Sequence, residues 1–241
     1  MSWNDNLYLY AKDRNLEYIG GLCQTRSLLD DVSGWDGMLL LEHKGQPLIV
    51  SCRTVGGGRA GEFHYAQALL RCTLDRPYFL NITPKSATRK GMNAVLGQLD
   101  KGVELLNKNV DLYRDYGCPE VTEGRSIKTD DPEFTQMVFR DLEFRNLLLK
   151  TPRLRVRVES SAPEFMPGQE HLIRVDYNLG GGLTASEEDW YVAEPDSWLD
   201  DGEKLIWMRS RNFASKLEGM ISLAKAAHGA VTAWRMPAKN C

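Results

Sequence analysis

The chain has no two cysteines in a CxxC spacing and no two histidines three to five residues apart. The first absence argues against a zinc ribbon or a dithiol redox motif, and the second excludes a helical metal pair. The five cysteines, Cys23, Cys52, Cys72, Cys118 and Cys241, are odd in number and scattered. That pattern predicts reduced thiols, as in a cytosol, rather than a disulfide framework. Long apolar runs are missing too. The longest, such as Met38–Leu41 and Leu147–Leu149, fall far short of the roughly 18–20 residues that cross a bilayer. The first residues, MSWNDNLYLYAKDRN, lack the basic start and apolar stretch of a signal peptide. A cytoplasmic protein without membrane contact is expected. No GxSxG elbow, HExxH pair, EF-hand loop or Gly-Lys-Ser/Thr phosphate loop occurs. No cofactor and no metal are therefore expected. A net charge of -3 gives no global attraction to nucleic acid.

What is present is an ordinary globular composition, 42% hydrophobic and 26% charged, over 241 residues. A chain of that length buries roughly 70–75% of its unfolded surface and needs no staples. It can form one large domain or two smaller ones.

The most informative pattern is a segment that recurs. Residues 47–58 read PLIVSCRTVGGG and residues 171–182 read HLIRVDYNLGGG. Weaker echoes follow, Tyr78–Ile82 with Leu205–Arg209 and Gly91-Met92 with Gly219-Met220. Such self-similarity predicts one supersecondary unit used twice. The expected fold is α+β, with two similar halves, each an antiparallel sheet of about four strands flanked by helices. The first half covers 1–110, a polar linker 111–130, and the second half 131–241.

Local patterns fill in that frame. Trp3, Leu7, Tyr10 and Ala11 predict a helix over about 4–15. Lys44-Gly45 reads as a tight turn between two strands. Phe63 and Tyr65 alternate with polar neighbours in a strand that runs toward Leu74, and Tyr78–Ile82 follows as another. Met92, Val95, Leu96, Leu99, Val103 and Leu106 form the apolar stripe of a helix. Asp130 or Asp131 can cap a further helix, with Pro132 in its first turn. Residues 134–139 fit a helix or a strand equally. Leu142–Lys150 reads as helix. Strands are expected around 154–158, 172–177, 190–192 and 205–208, and a closing helix through Phe213, Leu217, Met220, Ile221 and Ala224.

Candidate functional residues follow from charge. Arg153, Arg155 and Arg157 alternate with Leu154, Val156 and Val158, which predicts a half-buried strand with a cationic outer face. Glu187, Glu188 and Asp189 open an acidic stretch that reaches Glu203 without a lysine or arginine. These two sets are the predicted binding surfaces, for a protein partner or a second copy. Base-stacking aromatics do not interleave with the arginines, so nucleic acid is not the expected partner. The glycine triplets read as turns, because neither leads into a helix N-terminus. His64 could meet Cys52 or Cys72 as a nucleophilic pair, although no local signature accompanies it.

The segments RPYFLNITPK at 76–85 and IKTDDPEF at 127–134, followed by a helix rich in Arg and Leu, resemble a set of uncharacterised bacterial proteins. The resemblance implies two related halves and carries no activity or catalytic residues. The reading from sequence is a non-enzymatic soluble interaction protein that acts through charged sheet faces. The alternative is a hydrolase or transferase with a site in the cleft between the halves, with Arg53, His64 and Asp176 as first candidates. A third reading is an anion sensor that uses the arginines.

Overall fold

The computed structural model describes residues 3–20, 37–56, 62–85, 116–160, 170–181, 190–193, 207–210 and 212–236. In chain order the elements are α1 (Trp3–Asp13), β1 (Glu17–Ile19), β2 (Met38–His43), β3 (Gln46–Gly56), β4 (Glu62–Thr73), β5 (Leu80–Pro84), α2 (Pro119–Gly124) and β6 (Arg125–Thr129). There follow α3 (Pro132–Val138), α4 (Leu142–Lys150), β7 (Arg155–Ser160), β8 (Glu170–Gly181), β9 (Trp190–Ala193), β10 (Trp207–Ser210) and α5 (Phe213–Thr232). The fold is mixed α+β.

Eight strands form one antiparallel sheet in the order β1-β2-β3-β4-β8-β7-β5-β6, and β9 and β10 form a separate ladder. The sheet is continuous where the recurring segment predicts a pair of four-stranded sheets. The reason lies in two pairings. β8 joins the free edge of β4, and β7 slots between β8 and β5. The two recurring segments are thus β3 and β8, flanking β4 in one sheet. Glycine-to-glycine alignment sets Leu48 against Leu172. In the sheet, Leu48 and Ile173 flank Leu70 instead, and both are fully buried. A slip of one residue exchanges the two faces of a strand, so the aligned residues point to opposite sides.

The β2–β3 hairpin turns at Lys44 and Gly45, with φ of 51° and 74°. Left-handed backbone at both turn positions matches the twist of the flanking strands, and glycine supplies it without steric cost. β4 is central, and its Ala66, Ala68 and Leu70 face the core. The two alanines leave room for α5, which packs over β4 and β8. Leu217, Met220, Ala224 and Ala227 of that helix share the buried core with Val50, Val175 and Ile173.

Residues 119–129, read from sequence as part of a polar connection, form α2 and β6, and β6 pairs with β5. The stretch 134–139 resolves as helix. Asp131 decides it, because its carboxylate accepts the Phe134 N–H at 3.0 Å and also meets Arg76. Asp141 caps α4 in the same way, at 2.8 Å from the Phe144 nitrogen. The helix expected over Met92–Leu106 lies outside the described residues. No helix among the described residues is long and apolar enough to cross a membrane.

Candidate binding site

Val156, Val158, Leu80 and Ile82 share one buried core with Phe134 and Val138 of α3 and Phe144 and Leu148 of α4. On the other face β7 presents Arg155 and Arg157. Both are buried, at 6% and 4% exposure, so this is not the solvent-facing cationic row expected from the alternation. They lie in a polar ladder instead. Across four strands the register sets Ser51, Gln67, Asp176 and Arg155 side by side. The Gln67 amide donates to Asp176 Oδ1 at 3.0 Å, and Arg155 Nε donates to Asn81 Oδ1 at 3.1 Å. Glu159 lies 3.5 Å from the Arg157 guanidinium and 3.7 Å from that of Arg174.

Buried guanidinium groups persist only with compensating charge and hydrogen bonds. Asp176 and Glu159 supply the charge. Burial pushes the Asp176 carboxyl up, against the pull of Arg174, Arg155, the Gln67 hydrogen bond and Arg157. Burial likewise lowers the Arg157 pKa, with Glu159 opposing. The ladder is therefore an internal network of charged and polar side chains rather than an exposed cationic row.

Arg153 behaves differently. It precedes β7, is exposed, and lines a cavity of about 300 Å3 on the helix side of the sheet. Tyr177 of β8 and Leu154 form the buried floor. Lys150 at the end of α4, Arg153 in the turn, and Lys216 in the first turns of α5 supply three cations. The Lys216 ammonium stands 5.5 Å from the centre of the Tyr177 ring, within cation–π range. Among the described residues, no carboxylate lines the cavity. Among the described residues, no ion pair involves Lys150, Arg153 or Lys216.

The wall carrying Arg153 is held by a residue that sequence reasoning passed over. Arg125, at the start of β6, is buried at 4% exposure. Its Nη1 donates to the Leu154 carbonyl at 2.6 Å. Its Nη2 donates to the carbonyls of Leu148 at 2.8 Å and Thr151 at 2.6 Å. One planar fork thus satisfies the last turn of α4 and the turn into β7, where helix carbonyls carry partial negative charge. Burial lowers its pKa to about 10, still fully charged at neutral pH. No local motif announces such a role. A lone arginine flanked by Gly124 and Ser126 looks like any surface charge.

The other predicted groups scatter. His64 contacts the Trp3 ring of α1 at 6.5 Å, on the helix-covered face. Asp176 pairs with Gln67 on the opposite face, so the two do not share a site. Arg53 lies opposite Tyr65 in the ladder. Cys72 lies opposite His171, and burial pushes its thiol up to about 12. His171 Nε2 accepts the Tyr78 N–H at 2.9 Å. A nucleophilic cysteine needs the reverse, a lowered pKa beside a cationic partner. His43 and His228 meet edge to face at 5.1 Å, and burial lowers both pKa values. Among the described residues, no cluster of three or more His, Cys, Asp or Glu could hold a metal ion. Glu187, Glu188 and Asp189 lie outside the described residues.

Comparison with known protein families, with characterised proteins and with solved structures finds no match.

Proposed function

We propose that the protein is a non-enzymatic binding protein that recognises an anionic group at the cavity bounded by α4, β8 and α5. One observation carries the reading: Lys150, Arg153 and Lys216 converge on one concavity that, among the described residues, no carboxylate lines. Like charges placed together without internal compensation favour an external anion. The uncapped start of α5 adds to this. Asn212 makes no side-chain cap, and the first turn holds no acidic residue. Its N–H groups and helix dipole favour negative charge. The proposal keeps the charged-surface reading of the sequence but moves its centre from Arg155 and Arg157 to Arg153. The enzyme reading has weaker support, since His64 and Asp176 lie on opposite faces and the Cys72 thiol is held protonated.

The test is thermal unfolding in a panel of anions at matched ionic strength: chloride, phosphate, citrate and a short polyglutamate. Phosphate, citrate or polyglutamate should raise Tm more than chloride does. The triple variant Lys150→Glu, Arg153→Glu, Lys216→Glu should abolish the difference. Equal Tm in all four anions would remove the basis of the proposal.

A further inference from the structure

The cavity has two chemically distinct parts, and together they narrow the ligand. This step rests on the anion-binding reading above. Its cations are the exposed Lys150 and Arg153 and the half-buried Lys216, while Tyr177, Leu154, Pro152 and Gly219 give it apolar surface beside Thr151 and Ser215. An acidic protein segment docking by charge alone has no use for a concave apolar floor. A free inorganic anion has no use for it either. Size points the same way. A void of roughly 150 Å3 already takes a benzene ring, and this one is about 300 Å3. There is space for one ring-sized body and one oxyanion group. The lower end of small-ligand pockets begins at about the same volume.

We propose that the cavity binds a small organic anion: a phosphate or carboxylate carried on a compact apolar body of about one ring. The apolar body lies against Leu154, Pro152 and Tyr177. The oxyanion meets Lys216, which the Tyr177 ring already positions, together with Lys150 and Arg153. Gly219 of α5 lines the pocket beside Thr151. A Cβ built there comes within 3.4 Å of Thr151 Cγ2, so any longer side chain extends into the space between α5 and the turn.

Isothermal titration calorimetry of the full chain tests this with phenyl phosphate, inorganic phosphate, benzyl alcohol and a short polyglutamate. Burial of one ring should make phenyl phosphate bind about tenfold or more tighter than inorganic phosphate. Benzyl alcohol, which lacks the charge, should bind more weakly than phenyl phosphate. Arg153→Glu, an exposed substitution that leaves the floor intact, should weaken phenyl phosphate by about tenfold or more. Gly219→Met should fill the cavity and block phenyl phosphate while leaving polyglutamate unaffected. Should that variant fail to fold, the Arg153→Glu comparison decides alone. Equal affinity for phenyl phosphate and inorganic phosphate would overturn the inference. So would binding of polyglutamate, sensitive to Arg153→Glu, in the absence of phenyl phosphate binding; that outcome would leave the anion-binding reading standing. Binding of none of the four would overturn both.

Discussion

Replacing Arg125 by methionine should remove the clamp that joins α4 to β7. The guanidinium makes three hydrogen bonds to carbonyl oxygens, at 2.6–2.8 Å, in a buried setting. A hydrogen bond from a charged donor contributes about 1.5–3 kcal/mol net. The three do not simply add, because they share one group and because methionine relieves the cost of burying the charge. The carbonyls of Leu148, Thr151 and Leu154 are left without that donor, which costs about 1–3 kcal/mol for each that stays dry. The expected loss is about 3–5 kcal/mol, a large fraction of the roughly 5–15 kcal/mol that holds a typical domain together. Arg125→Lys keeps the charge but not the planar fork, and should lose about half as much. Urea unfolding followed by tryptophan fluorescence measures both. Arg125→Met should also weaken anion binding, since Arg153 rides on the clamped turn. A loss below about 1 kcal/mol with an unchanged m-value would refute the reasoning.

The histidine pair predicts an acid-side loss of stability. The folded pKa values of His43 and His228 lie below the ordinary value, through burial and through Lys44 and Lys225 near His43 and through His43 and Lys44 near His228. The unfolded chain therefore binds protons first, so this contribution is fully present above about pH 6.5 and is lost as pH falls through the folded values. Calorimetric Tm should fall from pH 7 to 5, and His228→Gln should flatten that slope; an unchanged slope would count against the pair. Asp131→Ala removes both the α3 cap and the Arg76 partner and should cost about 1–3 kcal/mol in urea unfolding. The Cys72 thiol, held near 12, should resist iodoacetamide at pH 8 until the chain unfolds, and rapid native labelling would contradict its burial.

Local structure was largely legible in the sequence because its causes are local. The Lys44-Gly45 turn, the Asp131 cap and the α5 stripe each depend on a few neighbouring residues. Pairing across long separations was not. Nothing in 170–181 says that β8 joins β4 rather than a sheet of its own, and the recurring glycines suggested the latter. The alternation in 153–158 correctly separated Val156 and Val158 from Arg155 and Arg157. It could not say that both faces would be buried, because the compensating carboxylates Asp176 and Glu159 are acidic residues like any others in a linear reading. The cavity was invisible for the same reason. Lys150, Arg153, Tyr177 and Lys216 come from the end of one helix, a turn, a strand and the start of another helix. Lys150 and Arg153 stand in one basic run of the sequence, but only Arg153 is among the predicted binding residues, and for a strand it does not belong to.

The most direct measurement is a two-dimensional amide NMR titration of the isotope-labelled chain with phenyl phosphate. Saturable shifts should centre on the amides of Thr151, Arg153, Leu154, Ser215, Lys216 and Gly219, with little change at Arg155, Arg157 and Asp176. Shifts concentrated on the β7–β8 ion ladder, or none at any concentration, would contradict binding in the cavity.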